Sequence, residues 1–98
     1  MRTIKHLYET HRDKGNIYIY LQKEAMRYQF LVDAWQEGFT FSDGIPVLFK
    51  SPAAMICLTQ EGYLVYPGTY GAMGVHLSND RTRVDYEKYI HDEEDYLI

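Results

Sequence analysis

NIYIYLQKEAMRYQFLVDAWQEGFTF, residues 16–41, is the stretch on which the fold turns. Its opening residues alternate, β-branched Ile17 and Ile19 against Tyr18 and Tyr20, with the two-residue period of a pleated strand. Lys14, Gly15 and Asn16 supply a turn ahead of it. From residue 22 the period lengthens: Met26, Phe30 and Ala34 form one i, i+4 row, and Leu31 and Trp35 a neighbouring one. Neither Gly nor Pro interrupts residues 22–37, so they read as a helix that Gly38 closes. Residues 39–41, Phe-Thr-Phe, then read as a second strand, ended by the turn residues Ser42, Asp43 and Gly44.

Upstream, Ile4, Leu7, Tyr8 and His11 fall at i, i+3, i+4 and i+7, which predicts a short helix over residues 3–14 with Thr3 as its N-cap. Downstream, two prolines make residues 45–52 a crossing loop in which Phe49 packs. Residues 53–59 and 63–66 are apolar runs separated by Gln60-Glu61-Gly62, a hairpin whose glycine can take a positive φ. The Gly-rich residues 67–74 end that hairpin, and residues 75–77 read equally as strand or packed loop. In residues 82–90, Val84, Tyr86 and Ile90 share a strand face, while Tyr86, Tyr89 and Ile90 share a helical one; a strand to about residue 86 followed by a turn is the preferred reading. The expected architecture is one α+β domain over residues 1–98: a mostly antiparallel sheet of three to five strands with one main helix on one face.

With 46% hydrophobic and 24% charged residues in 98, the chain has enough apolar surface to offset the entropy cost of ordering. No apolar stretch approaches the roughly 20 residues of a membrane span, and Cys57 is the sole cysteine, which together lead to the expectation of a cytoplasmic protein. Residues 1–50 carry seven Lys/Arg against six Asp/Glu; residues 51–98 carry three against eight. A net charge of −4 concentrated in the second half argues against direct nucleic-acid binding, which draws on a basic footprint.

Residue types that carry chemistry are present without the spacing that chemistry needs. His6 and His11 are five apart, off the i, i+4 face that two helical metal ligands share, and His76 and His91 bring no completing set. Cys57 sits mid-strand, where burial suppresses the thiolate. Gly68, Gly71 and Gly74 lack the dinucleotide fingerprint, and Ser42, Asp43 and His76 lack a nucleophile elbow. The expectation is therefore a non-enzyme with no metal and no cofactor.

Ten tyrosines and the acidic end suit protein contact instead. Tyr70, Tyr86, Glu87, Asp92, Glu93, Glu94, Asp95 and Tyr96 are the expected partner-binding residues, the carboxylates mimicking a phosphate backbone toward a basic nucleic-acid channel. IYIYLQKEAMRYQFLVDAWQEGFTFSDG, MICLTQEGYLVY, VDYEKYI and EEDYLI together resemble small proteins carried by phages, plasmids and integrative elements of Gram-positive (Firmicute) bacteria, over roughly residues 16–98. Those motifs are structural, and the resemblance implies an accessory role; by analogy alone it extends to anti-CRISPR and other anti-defence inhibitors. The leading expectation is stoichiometric binding to a host protein, such as a basic nucleic-acid-binding defence nuclease. Two alternatives stand beside it: a small-ligand domain or minor enzyme with a pocket near the Gly-rich loop using Tyr66, Tyr70 and His76, and a homodimer formed through sheet edges or through Tyr96, Leu97 and Ile98.

Overall fold

A computed structural model describes residues 2–67 and 82–98. Strand β1, Ile17–Tyr20, is its centre: it pairs antiparallel with β2, Met55–Leu58, and parallel with β4, Thr82–Asp85. Strand β3, Leu64–Val65, adds antiparallel to β2, so the order is β3-β2-β1-β4. The domain is α+β, and two of its three strand pairings are antiparallel.

Alternation in β1 divides the sheet into two faces. Ile17 and Ile19 join Ile56, Leu58 and Val84 under all three helices, whereas Tyr18 and Cys57 are buried on the opposite face with Tyr20, Met55 and Val65 beside them. Cys57 is thus a packed core thiol, 2% exposed.

The helices are α1, Ile4–His11; α2, Glu24–Gln36; and α3, Tyr86–Ile90. Thr3 caps α1 by accepting from the His6 amide at 3.0 Å. The Glu37 carboxylate accepts from the amides of Ile4 and Lys5 at 2.9 and 2.8 Å, so the residue after α2 satisfies the orphan donors of α1. Gly38 ends α2 at φ +84°, its amide and that of Phe39 closing on the carbonyls of Trp35 and Ala34. No helix among the described residues is long and apolar enough to cross a membrane.

The expected hairpin is present, with Gly62 at φ +90° and the Thr59 amide donating to Tyr63 at 2.8 Å. The expected strand over residues 39–41 is reduced to one parallel bridge, Phe41 to Leu64, because β3 is only two residues long. At the other edge Leu97 bridges Val84, and the amides of Asp85 and Ile98 are bound by the carbonyls of Tyr96 and Arg83. Short flanking segments therefore take up hydrogen-bonding groups on both sheet edges.

Residues 82–90 combine both readings of the sequence. The strand ends at Asp85, whose side chain accepts from the Lys88 amide at 3.3 Å, and a helix rather than a turn follows. The cap changes the period at that point, so Tyr86 and Tyr89, three apart, are both buried.

Candidate functional site

The acidic end is a turn of the fold, pinned by the other end of the chain. Arg2 donates through Nη1 to the carbonyls of Tyr89 at 3.2 Å and Glu93 at 2.7 Å. Its Nε lies 3.5 Å from Asp92, and the guanidinium stacks 4.9 Å from the Tyr96 ring and 5.3 Å from that of Tyr89. Asp92 takes the left-handed conformation at φ +60° that lets the chain reverse. Asp95 pairs with Lys88 at 3.0 Å, and that bond holds its carboxyl below the usual range. Asp92, Glu93, Glu94 and Asp95 are all exposed, but two of the four are matched by a cation.

The remaining expected contacts are distributed differently. Tyr86 is corrected to a core residue: it is 1% exposed, it meets Phe30 edge-on at 5.1 Å, and its hydroxyl donates to Asp33 at 2.5 Å. Burial, then the Asp33 carboxylate, push its phenol well above the ordinary value. Tyr96 is half-buried, its hydroxyl 3.0 Å from His11 Nε2, and Glu87 pairs with Lys23 at 3.0 Å. Tyr70 lies outside the described residues, as do Gly68, Gly71, Gly74 and His76. Tyr66 donates to the Ser51 carbonyl, and no group of His, Cys, Asp and Glu among the described residues could hold a metal ion.

Each of the two described clefts has polar lining groups that also bond within the fold. One, of about 460 Å³, lies between α1 and the β2–β3 turn, and its Tyr8 donates to the Gln60 carbonyl at 2.6 Å while Arg12 stacks on that ring. The other, of about 420 Å³, runs between α2 and α3. Its Asp33 accepts from Tyr86 and Gln29, and its Glu37 caps α1.

A different surface stands out on α2. Its buried residues are Phe30, Leu31 and Ala34, and the 3-10 turn Val47–Phe49 packs beside the helix. Arg27 is turned toward the end of β1, donating to the Leu21 and Gln22 carbonyls at 2.8 and 3.2 Å, and Asp33 receives Tyr86. With both charges drawn aside, every exposed residue from Ala25 to Gln36 is uncharged: Ala25, Tyr28, Gln29, Val32, Trp35 and Gln36. Tyr28 and Trp35 are each 54% exposed, and Val32, between them on the same helical face, 39%.

The adjoining loop continues this character. Val47, not the expected Phe49, anchors it in the core: Leu48 remains 47% and Phe49 80% exposed, and Ile45 is also outward. Asp43 staples the loop by accepting from the Ile45 amide at 2.9 Å and pairing with Lys50, whose bond holds the Asp43 carboxyl low. The loop's charges thus neutralise each other. At 150–250 Å² per aromatic side chain, Tyr28 and Trp35 on the helix and Phe49 on the turn packed beside it expose roughly 400 Å² between them.

The i, i+4 spacing puts Trp35 on the helix but does not mark this face as outward. The available signal was an excess of apolar rows: Met26, Phe30 and Ala34 fill one side, so Tyr28, Leu31, Val32 and Trp35 were more than one sheet face could cover.

Comparison of the chain with protein-family models, with curated proteins and with solved structures found no match.

Proposed function

We propose that this chain works by binding another protein chain, and that its working surface is the outward face of α2 with the Val47–Phe49 turn beside it. The observation that carries this reading is the uncharged exposed face from Ala25 to Gln36 in a chain that is 24% charged. Aromatic enrichment with depletion of charge is the composition of an interface core, not of a solvated helix. The stoichiometric-binding class expected from the sequence is kept, and its surface moves from the acidic turn to α2.

Inhibition of a basic nuclease through residues 92–95 is the finer form of that expectation, and it predicts a different response to salt. Binding steered by carboxylates weakens steeply as screening grows, whereas binding through an uncharged apolar face persists. The test is immobilised protein challenged with a Gram-positive host extract, and separately with the purified chain itself, at about 0.05 M and about 0.5 M salt. Three forms are compared: wild type, Tyr28→Ala/Trp35→Ala, and Asp92→Asn/Asp95→Asn. Retention that survives high salt and is lost in the α2 variant is the expected result. Retention abolished by salt and by the Asp-to-Asn changes, but unaffected at α2, returns the function to the acidic turn.

A further inference from the structure

Resting on the docking reading above, we infer that the chain seated on α2 is a second copy of this one, packed antiparallel about a two-fold axis passing beside Val32. Three observations converge on that occupant.

The first is charge. Each copy carries −4, concentrated in residues 51–98, so two copies repel where those carboxylates face each other. The α2 face, with no ionised side chain exposed between Ala25 and Gln36, is where they can meet without like charges facing.

The second is the order of side chains. Tyr28, Val32 and Trp35 lie along one stripe, about 6 Å and about 4.5 Å apart along the axis at 1.5 Å per residue. The smallest of the three is at the middle. An antiparallel mate centred on Val32 brings Val32 against Val32, where the helices approach most closely. Tyr28 then sits over Trp35 of the partner subunit, and Trp35 over Tyr28 of the partner subunit. A two-fold interface requires such self-complementarity, in which i meets j and j meets i.

The third is area. Two copies of the roughly 400 Å² of exposed aromatic surface, enlarged by Val32, Leu48 and the amide rim of Gln29 and Gln36, make available the roughly 1,000 Å² that a specific interface needs.

The test uses the position on the axis, since only there does a side chain meet its own copy. Sedimentation of the wild type from about 1 µM to about 1 mM is expected to show a monomer–dimer equilibrium within the range where modest interfaces associate. Val32→Glu and Val32→Lys each place two like charges together and are expected to raise the dissociation constant more than about tenfold. An equimolar mixture of the two is expected to restore a dimer, a recovery that a folding defect cannot produce. Val32 is 39% exposed, and the circular dichroism of both variants is expected to match wild type. As an independent measurement, Val32→Cys is expected to cross-link with itself under mild oxidation, because a disulfide needs Cα atoms within about 7 Å, while Cys57 stays buried.

A wild type monomeric throughout, or a Val32→Cys that does not self-link together with no recovery on mixing, overturns the dimer. If the monomer still retains a partner that Tyr28→Ala/Trp35→Ala loses, the dimer falls and the docking reading stands. If that retention is also unchanged, both fall.

Discussion

Replacing Tyr86 by Phe removes one oxygen from a residue that is 1% exposed and whose hydroxyl donates to Asp33 at 2.5 Å. The ring, and with it the edge contact to Phe30 at 5.1 Å, is retained, so the change isolates the hydrogen bond. A bond to an ionised acceptor contributes about 1.5–3 kcal/mol net. Asp33 is half-buried and keeps Gln29 on its other oxygen at 2.8 Å, so water can reach the vacated site and the loss falls in the lower half, about 1.5–2 kcal/mol. For a domain of this size that corresponds to a fall in Tm of roughly 6–16 °C. Urea unfolding followed by circular dichroism, run as a cycle with Asp33→Ala and the double variant, measures both the loss and the coupling, expected near 1 kcal/mol or more. A Tyr86→Phe protein within about 0.5 kcal/mol of wild type, or an additive double variant, would refute the view that this bond joins α2 to α3.

Glu37→Ala deprives the Ile4 and Lys5 amides of their shared carboxylate and is expected to cost about 1–2 kcal/mol, read as faster hydrogen exchange at those two amides; unchanged exchange would show that α1 is capped by other means. Burial holds the phenol of Tyr86 high and pushes that of Tyr89 up to about 12, while tyrosines in the unfolded chain ionise near 10. The folded state therefore keeps protons the unfolded state loses, so this stability is whole below about pH 10 and declines above it, through the folded pKa, at about 1.4 kcal/mol per pH unit per tyrosine. Near-ultraviolet absorbance should show part of the ten tyrosines ionising only as the fold opens; all ten titrating together near pH 10 in an intact fold would contradict this.

Local pattern was legible where one period ran uninterrupted. The Ile-Tyr alternation gave β1, and the rows through Met26 and Phe30 gave α2 with its stop at Gly38. The hairpin was readable because Gly62 needs its positive φ whatever surrounds it. What stayed hidden depends on partners distant in the chain. Residues 39–41 looked like a strand, but their pairing was limited by the two-residue length of β3. Tyr86 looked like a surface tyrosine because its acceptor, Asp33, is 53 residues away. The acidic turn looked unopposed because Arg2, which reaches Glu93 across 91 residues, is invisible to any local window. For the candidate face, the composition of α2 was readable, but which row is left uncovered is decided by where Arg27, Asp33 and the Val47–Phe49 turn pack.

The α2 face is also an odd choice for the fold alone. Tyr, Val and Trp are poorer helix formers than Glu or Lys by roughly 0.3–0.6 kcal/mol each, and a solvated face would gain a further 0.3–0.5 kcal/mol or so from an i, i+4 ion pair. Against that, the part of each side chain already covered by its neighbours contributes burial of comparable size. Tyr28→Glu/Val32→Lys should therefore leave stability within about 1 kcal/mol of wild type while abolishing association through this face. If the double variant instead loses more than about 2 kcal/mol, these residues brace the single chain, and their exposure no longer argues for a partner. If stability holds and association is lost, two residues that contribute little to the fold contribute much of the contact, which is how binding surfaces concentrate their energy in a few anchors.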